Sequence, residues 1–391
     1  MEVLVAGAGP AGLATAAGLA AAGHEVRVLE RAPGLRRGGG AVTLTSGGTA
    51  ALRALGVDVA DLGRHLEVLD SRTDGGQPLL RVPLGDLGRR WGTPTTSSLR
   101  RTLLDRLAAR LPDGALVTGA AVEEVEPHRR HPLVHLAGGT SAAADVVVGA
   151  DGERSPVRRC LRPGAVPART GWTTWQGCSR VDHPLTGGDR VLFMTGPAGF
   201  CDLQPAGDGL LQWSFSTPPG ALPASTPAGE ATAALRERFG GWADPVPDVL
   251  AAVLGRPDDA AEGGPTGWDH RTAPVPAVWG AGAVTLVGDA AHVMPPSLGQ
   301  GVNQALEDAH ALAAALTVLP VGAGPADMAA ALRGYEARRA RQVRLVAALA
   351  GSEQAITHRA VSRGVMRTLP DAWALGLWGS MVRRSSAALT G

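Results

Sequence analysis

At 391 residues the chain is longer than one hydrophobic core usually serves, and its 45% apolar content is that of a globular protein, so two consecutive or interleaved domains are expected. A formal net charge of +1, with Arg-Arg pairs scattered from 36–37 to 383–384, offers no field for nucleic acid or an anionic membrane, and most of those pairs read as solvated faces. The chain has no lysine, which excludes a Schiff-base lysine for pyridoxal phosphate and a Walker lysine for nucleotide phosphates.

In chain order, a strand is predicted at Glu2 to Ala6, an Ala-rich helix from about Ala11 to Ala22, and a second strand at Glu25 to Leu29 ending in Glu30. Gly7-Ala8-Gly9-Pro10-Ala11-Gly12 separates the first strand from the helix. In such a turn Gly7 permits the bend, Gly9 lets the backbone approach a pyrophosphate, and Gly12 allows close helix packing. Glu30, eighteen residues beyond Gly12, is placed to hold ribose hydroxyls. Strand, helix and acid together make a dinucleotide fingerprint, and the acid favours an unphosphorylated ribose, hence NAD or FAD. This N-terminus has no basic leader, and no apolar run approaches ~18 residues, so neither signal peptide nor membrane span is indicated. Cys160, Cys178 and Cys201 have no close spacing, which argues against a disulfide framework, a CxxC pair or a metal site and fits a reducing cytoplasm.

Further along, Leu66 to Leu84 reads as a hairpin around Asp74-Gly75-Gly76, and Ser98 to Leu111 as an amphipathic helix. The run Asp145 to Val148 is a buried strand ending in Gly149-Ala150-Asp151-Gly152. Alternating segments between Gly171 and Pro218, such as "VLFMTG" and "GLLQWSFS", predict an antiparallel sheet. Residues 219–280 are Pro/Ala/Gly-rich, with a short helix near Ala231 to Phe239. A strand at Ala283 to Val287 then returns to the nucleotide-type fold. It leads through Gly288-Asp289, Pro295-Pro296, Gly299 and Gly301 into a helix starting near Val302. Asn303, the sole asparagine of the chain, sits at that start, where its side chain is expected to satisfy a nearby backbone donor. The remainder is helical, with breaks near Pro320 to Pro325 and at Pro370.

A helix N-terminus presents unpaired backbone N–H groups and about half a positive charge, and this chain has two in Gly-rich turns. One suits a pyrophosphate, the other a ring that becomes negative on accepting electrons. Flavin is such a ring, whereas nicotinamide loses its positive charge on reduction, so the pair of sites points to FAD over NAD.

"VLVAGAGPAGLATAAGLAAAGHEVRVLER", "VVGADGERSPVRR" and "LVGDAAHVMPPSLGQGVNQALEDA" resemble the three signature segments of the single-component FAD-dependent aromatic hydroxylases, the para-hydroxybenzoate hydroxylase-like family, in order and spacing over about residues 1 to 345. The resemblance implies an α/β fold: a Rossmann-type FAD-binding domain (1–65, 96–160 and 281–320) interleaved with an antiparallel substrate-binding sheet (66–95 and 161–280), then a helical region (321–391). It implies that Glu30, followed by Arg31, binds the adenosine ribose and that Arg100 contacts the FAD pyrophosphate region. Asp289 would hold the ribityl chain, and the backbone amides of Val302 and Asn303 would face the flavin pyrimidine. Asp151 and Gly152 match a motif associated with both FAD and reduced nicotinamide. Pro296, with Gly299 and Gly301, would lie beside the oxygen-carrying edge of the ring. The implied activity is that of an NAD(P)H-dependent monooxygenase forming a flavin hydroperoxide from dioxygen and passing one oxygen to a bulky, mostly apolar aromatic or polycyclic substrate.

This chain also departs from the family. Gln300 stands where the para-hydroxybenzoate enzyme has a lysine, and the sole tyrosine, Tyr335, lies in "GYEARRARQ", so the family's phenol-activating tyrosines are missing. His183 and His270 are the remaining candidates for a base, while His292 reads as a structural hydrogen-bonder. Arg36 and Arg37 precede "GGGAVTL", where the family places a mobile flavin flap; a solvated pair is the equal reading. On period-2 strands Trp213 and Phe215 share one face and Trp172 and Gln176 share another, so each pair is either pocket lining or ordinary core. A flavin halogenase is excluded by the missing lysine and WxWxIP segment, and a disulfide reductase by the missing cysteine pair. A flavoprotein that does not oxygenate, a dehydrogenase or a cyclase using FAD as scaffold, is the alternative.

Overall fold

The computed structural model describes residues 1–36, 38–254, 265–358, 371–386 and 388. Pro370, the second Arg of the 36–37 pair and the end of the predicted C-terminal helical region lie outside them.

Five parallel strands form the nucleotide-type sheet, in the order Val284–Leu286, Val146–Gly149, Glu2–Ala6, Glu25–Glu30, Leu116–Thr118. Its central strands are apolar at almost every position, and Val3, Val5, Val146, Val147 and Val148 are fully buried, as expected of a parallel sheet covered on both faces. The Pro10–Ala21 helix follows the first strand and packs against the Gly301–Thr317 helix through small residues. Thus the two Gly-rich turns flank one layer and open toward the same end of the sheet.

The second large sheet has seven strands, ordered Thr266–Thr272, Ala168–Arg180, Leu210–Thr217, Gly199–Gly207, Arg190–Gly196, Val68–Thr73, Pro78–Val82. It is mostly antiparallel, but Arg190–Gly196 runs parallel to Val68–Thr73, which joins the early hairpin to the later strands in one mixed sheet. Its two faces differ. One carries Trp175, Leu192, Met194, Cys201, Leu203, Leu211, Trp213 and Phe215, packed with Phe239 and Trp242 and with the Val246–Leu254 helix. The other carries Gln204 and Gln212, which reach the Ala41–Leu44 strand on the nucleotide side: the Thr43 hydroxyl donates to Gln204 Oε1 at 2.8 Å and the Ala41 amide to Gln212 Oε1 at 2.7 Å.

Two local expectations change. Ser98 and Leu99 belong to the strand Thr96–Leu99, which pairs with Ala41–Leu44, and the helix begins at Arg100. The described residues of 219–280 hold more order than their composition suggests, including a second helix at Val246–Leu254 and the edge strand Thr266–Thr272. Of the arginines in the Arg-Arg pairs, Arg158 and Arg339 are buried rather than solvated.

Candidate active site

The first Gly-rich turn is shaped by contacts a side chain would block. A Cβ on Gly12 would lie 1.9 Å from the Gly7 carbonyl oxygen, and Gly7 itself has φ +105 with the Ala150 carbonyl 2.5 Å from any Cβ. Gly9 is the N-cap of the Pro10–Ala21 helix and has open space beside it, and no side chain caps the helix. The Glu30 carboxylate stands at the mouth of this turn, accepting the Ala8 amide at 2.8 Å and the Ala32 amide at 2.9 Å. Arg31 is exposed and begins the wall of an open cleft running to Arg36.

Asp151 follows the Val146–Gly149 strand, and its Oδ2 accepts the Val157 amide at 3.0 Å. Burial pushes its carboxyl above the usual range. Asp289 lies in the turn after Val284–Leu286. Asp289 is exposed to solvent between the buried residues Gly288 and Ala290. Burial raises the Asp289 carboxyl, against the pull of His292, Arg100 and Arg158. Arg100 opens its helix with its amide bonded to the Gly40 carbonyl at 2.9 Å, and its guanidinium is lowered by burial and held up by Asp289.

Beyond Asp289 the chain makes the Pro296–Leu298 turn and enters the Gly301–Thr317 helix. Pro296, Gly301 and Val302 are part-exposed and Gly299 is exposed. Gln300 is the N-cap and no side chain caps this helix either, so the first-turn amides of Gly301, Val302 and Asn303 have no intrahelical partner. Asn303 is 1% exposed. Its Oδ1 accepts the Thr45 amide at 2.8 Å and the Thr45 hydroxyl at 3.2 Å, while its Nδ2 donates to the Thr43 and Gly299 carbonyls at 2.9 and 2.8 Å. The donor it satisfies therefore belongs to a segment remote in sequence. Two uncapped helix starts supply N–H donors, and Arg100 and Asp289, close enough to feel each other's charge, supply a cation and an acceptor, the donor set that could hold the anionic middle and polar ring of a flavin dinucleotide.

Facing this cradle, the seven-stranded sheet presents a transverse row. Phe193, Asp202, Ser214 and Gln176 are direct partners across four neighbouring strands, and all four are part-exposed. Phe193, Asp202 and Ser214 each sit between buried neighbours along their strands. Trp172 lies on the same face against Phe200, ring centroids 5.5 Å apart, and Phe193 stacks on Phe200 from the other side at 5.4 Å. Trp213 and Phe215 point the opposite way, into the core with Phe239, because the helix layer covers that face. They do not join Trp172 and Gln176. His270 is fully buried, lowered to about 4 by burial, and shares a 2.6 Å hydrogen bond with the Thr174 hydroxyl. His183 caps a short helix through Nδ1, which accepts the Leu185 amide at 3.1 Å. Neither faces the row as a free base.

Behind the second turn lies a buried network. Asp308 accepts from the Gly288 amide (2.8 Å), His292 Nε2 (2.5 Å) and Arg339 Nε (2.8 Å). Arg158 donates to the Asp289 and Ala290 carbonyls, linking the Asp-Gly segment to the same turn. Asp308, Arg339 and Arg158 are charges inside helices, and only their pairing across the fold distinguishes them from surface residues.

A family profile described as an FAD binding domain matches residues 1–179 and 266–350. The chain is 33% identical over 353 residues to the aurachin C monooxygenase/isomerase of Stigmatella aurantiaca, covering 87% of this chain and 85% of that protein. It is also 33% identical over 345 residues to the 3-amino-4-hydroxybenzoate 2-monooxygenase of Streptomyces cremeus, covering 87% and 83%. The chain belongs to the single-component FAD-dependent monooxygenases. Its backbone follows that of Klebsiella pneumoniae HpxO complexed with FAD and uric acid, with a TM-score of 0.86 at 26% identity over 98% of this chain and 97% of the other. The enzyme is thus an FAD- and NAD(P)H-using monooxygenase of aromatic compounds, with the α/β fold that its signature segments imply. Among the described residues of this monooxygenase no helix is long and apolar enough to cross a membrane, and no group of His, Cys, Asp or Glu could hold a metal ion.

Proposed function

We propose that this monooxygenase inserts one oxygen atom from dioxygen into a bulky aromatic or polycyclic compound of the secondary-metabolite type, bound between the Pro296–Leu298 turn and the seven-stranded sheet. The half-open row Phe193–Asp202–Ser214–Gln176 carries this reading, since it is the part of an otherwise buried sheet face left uncovered on the cofactor side. When bound, FAD supplies the electrons and the activated oxygen. The chain's own residues then position, polarise and exclude water. In this reading the three units 1–65 with 96–160 and 281–320, 66–95 with 161–280, and 321–391 act as cofactor domain, substrate domain and helical cover. Gly7, Gly9 and Gly12 seat the pyrophosphate, with Glu30 and Arg31 toward the adenosine ribose. Arg100 neutralises the phosphates, Asp289 takes the ribityl hydroxyls, and the amides of Val302 and Asn303 face the pyrimidine carbonyl. Pro296, Gly299 and Gly301 border the reacting edge, and Asp151 stands at the junction of cofactor and nicotinamide. Trp172 and Gln176 contribute to the substrate wall.

Two experiments test this. With 3-amino-4-hydroxybenzoate or aurachin C as first probes, the FAD-loaded enzyme is expected to consume NAD(P)H faster than without probe and to incorporate one heavy oxygen atom from labelled dioxygen. A probe converted to an unlabelled product would count against the proposed insertion of an oxygen atom from dioxygen into this class of substrate. Separately, Arg100→Ala and Asp289→Ala should each weaken FAD binding by about ten- to hundredfold, the equivalent of one charge-assisted hydrogen bond of roughly 1.5 to 3 kcal/mol. Titrating apoprotein with FAD reads this directly, and unaltered affinity in both variants would remove the two residues from the cofactor site.

A further inference from the structure

The row on the sheet contains one charge, and nothing in the mechanism above uses it. Asp202 has Phe193 and Ser214 as its direct cross-strand partners, with Phe200 and Gln204 on the same face of its own strand. Gln204 is already bound to Thr43 and Phe200 is stacked between Trp172 and Phe193. Among the described residues no hydrogen-bond or ion-pair partner is found for the Asp202 carboxylate, although it is only part-exposed and sits between the buried Cys201 and Leu203. A buried carboxyl without partners is costly, because desolvation is not repaid by hydrogen bonds. Such a group is retained where a ligand completes it.

We propose that Asp202 is the substrate-recognition carboxylate of this enzyme: it accepts a hydrogen bond from a hydroxyl, amino or ring N–H group of the aromatic substrate and excludes compounds that present an anion at that point. This rests on the sheet row being the substrate wall. Strands lie about 4.8 Å apart, so the row from Phe193 to Gln176 spans roughly 14 Å, the length of a two- or three-ring system. Phe193 and Phe200 offer the apolar wall for the rings, and Asp202, next to both, fixes their polar edge. Ser214 and Gln176 continue the row with neutral groups able to donate or accept.

Titration follows from the same surroundings. The titratable neighbours are the Cys201 thiol, on the same strand but facing the helix layer, and His270 on the edge strand, held by Thr174. On the cofactor side stand Asp289 and Arg100. None of them perturbs Asp202 noticeably; burial alone pushes its carboxyl up to about 7. The carboxylate form, the stronger acceptor, is therefore present above about pH 7 and lost below it.

The test uses the FAD-loaded enzyme and three bicyclic probes: 2-naphthol, its methyl ether and 2-naphthoate, with binding read from the perturbation of the flavin visible spectrum. A naphthol hydroxyl, somewhat more acidic than that of tyrosine at about 10, stays protonated through about pH 8, so between about pH 6 and 8 the probe does not titrate. At pH 8 the wild type is expected to bind 2-naphthol about tenfold or more tighter than the ether and to bind 2-naphthoate weakest. Asp202→Asn should reduce the naphthol preference to within about threefold and admit 2-naphthoate. Asp202→Ser should repeat the pattern if the amide variant loads FAD poorly. The wild-type preference should itself decline as pH falls through about 7, which needs no variant. A wild type that does not discriminate naphthol from its ether, or a preference that survives in FAD-loaded Asp202→Asn, overturns the proposal. Because no turnover is measured, failure here is separable from failure to find labelled product.

Discussion

Asp308→Asn is expected to destabilise the enzyme by about 3 to 5 kcal/mol, the cost of removing one partner from a buried ion pair. Asp308 and Arg339 are both fully buried, with 2.8 Å between Oδ1 and Nε. The other oxygen of Asp308 accepts the Gly288 amide and His292 Nε2. An amide at this position keeps the shape, but it leaves the Arg339 guanidinium among Gln304 and Gln342 without its carboxylate and turns an acceptor site into a donor. Gly288 immediately precedes Asp289, so the loss is transmitted to the turn proposed to hold the cofactor. Urea unfolding of the apoprotein measures the stability term, and FAD titration the transmitted one. The wild-type pH dependence has a definite sign. Burial raises the Asp308 carboxyl, but His292 and Arg339 outweigh it and hold it below the ordinary carboxylate value. A depressed folded-state value contributes stability above about pH 4, and that stability is lost as pH falls further, through the folded value. A loss below about 1 kcal/mol in Asp308→Asn, or strict additivity with Arg339→Met, would mean that the pair is not coupled in this way.

What could be read along the chain was what depends on neighbours in sequence. Gly7 to Gly12 and Glu30 declare a βαβ turn because strand, helix start and acid lie within one local unit, and the Gly299–Gly301 turn declares a helix start for the same reason. Alternation in "GLLQWSFS" also separated Trp213 and Phe215 from the residues across the strand. It could not say which face the helices would cover, since that is decided by Phe239, Trp242 and Val249, which approach from another part of the chain. Ser98 reads as the first residue of an amphipathic helix, but pairing with Val42 keeps it in a strand. Asp202 carried a usable signal: in "FCDLQ" it alternates with Cys201 and Leu203 and shares a face with Gln204. Its meaning, a carboxylate left unmatched in the row, appears only when four strands are side by side. Arg339 and Asp308 gave no local sign at all, because a salt bridge between two helices has no period.

Asn303→Asp should lower stability by roughly 2 to 4 kcal/mol and weaken FAD binding with it. The wild-type amide meets two donors, the amide and hydroxyl of Thr45, and two acceptors, the carbonyls of Thr43 and Gly299. Only a group with an oxygen on one side and an NH2 on the other satisfies all four. Aspartate keeps the Thr45 contacts and turns its second oxygen toward the Thr43 and Gly299 carbonyls, which lose their donor and face a negative charge. Thr45 is the N-cap of the Ser46–Ala54 helix, while Gly299 precedes the helix proposed to face the flavin ring, so one side chain ties the two helix starts together. Simple capping predicts the opposite sign. An acid in the first turn of a helix gains about 0.3 to 1 kcal/mol from the helix dipole, so a residue that served only the Gly301–Thr317 helix would tolerate or prefer aspartate. Urea unfolding of the apoprotein separates the two accounts: equal or higher stability in Asn303→Asp would reduce the sole asparagine of the chain to a cap, whereas a loss of the expected size makes it the clamp that holds Thr43 to Thr45 against the start of the helix.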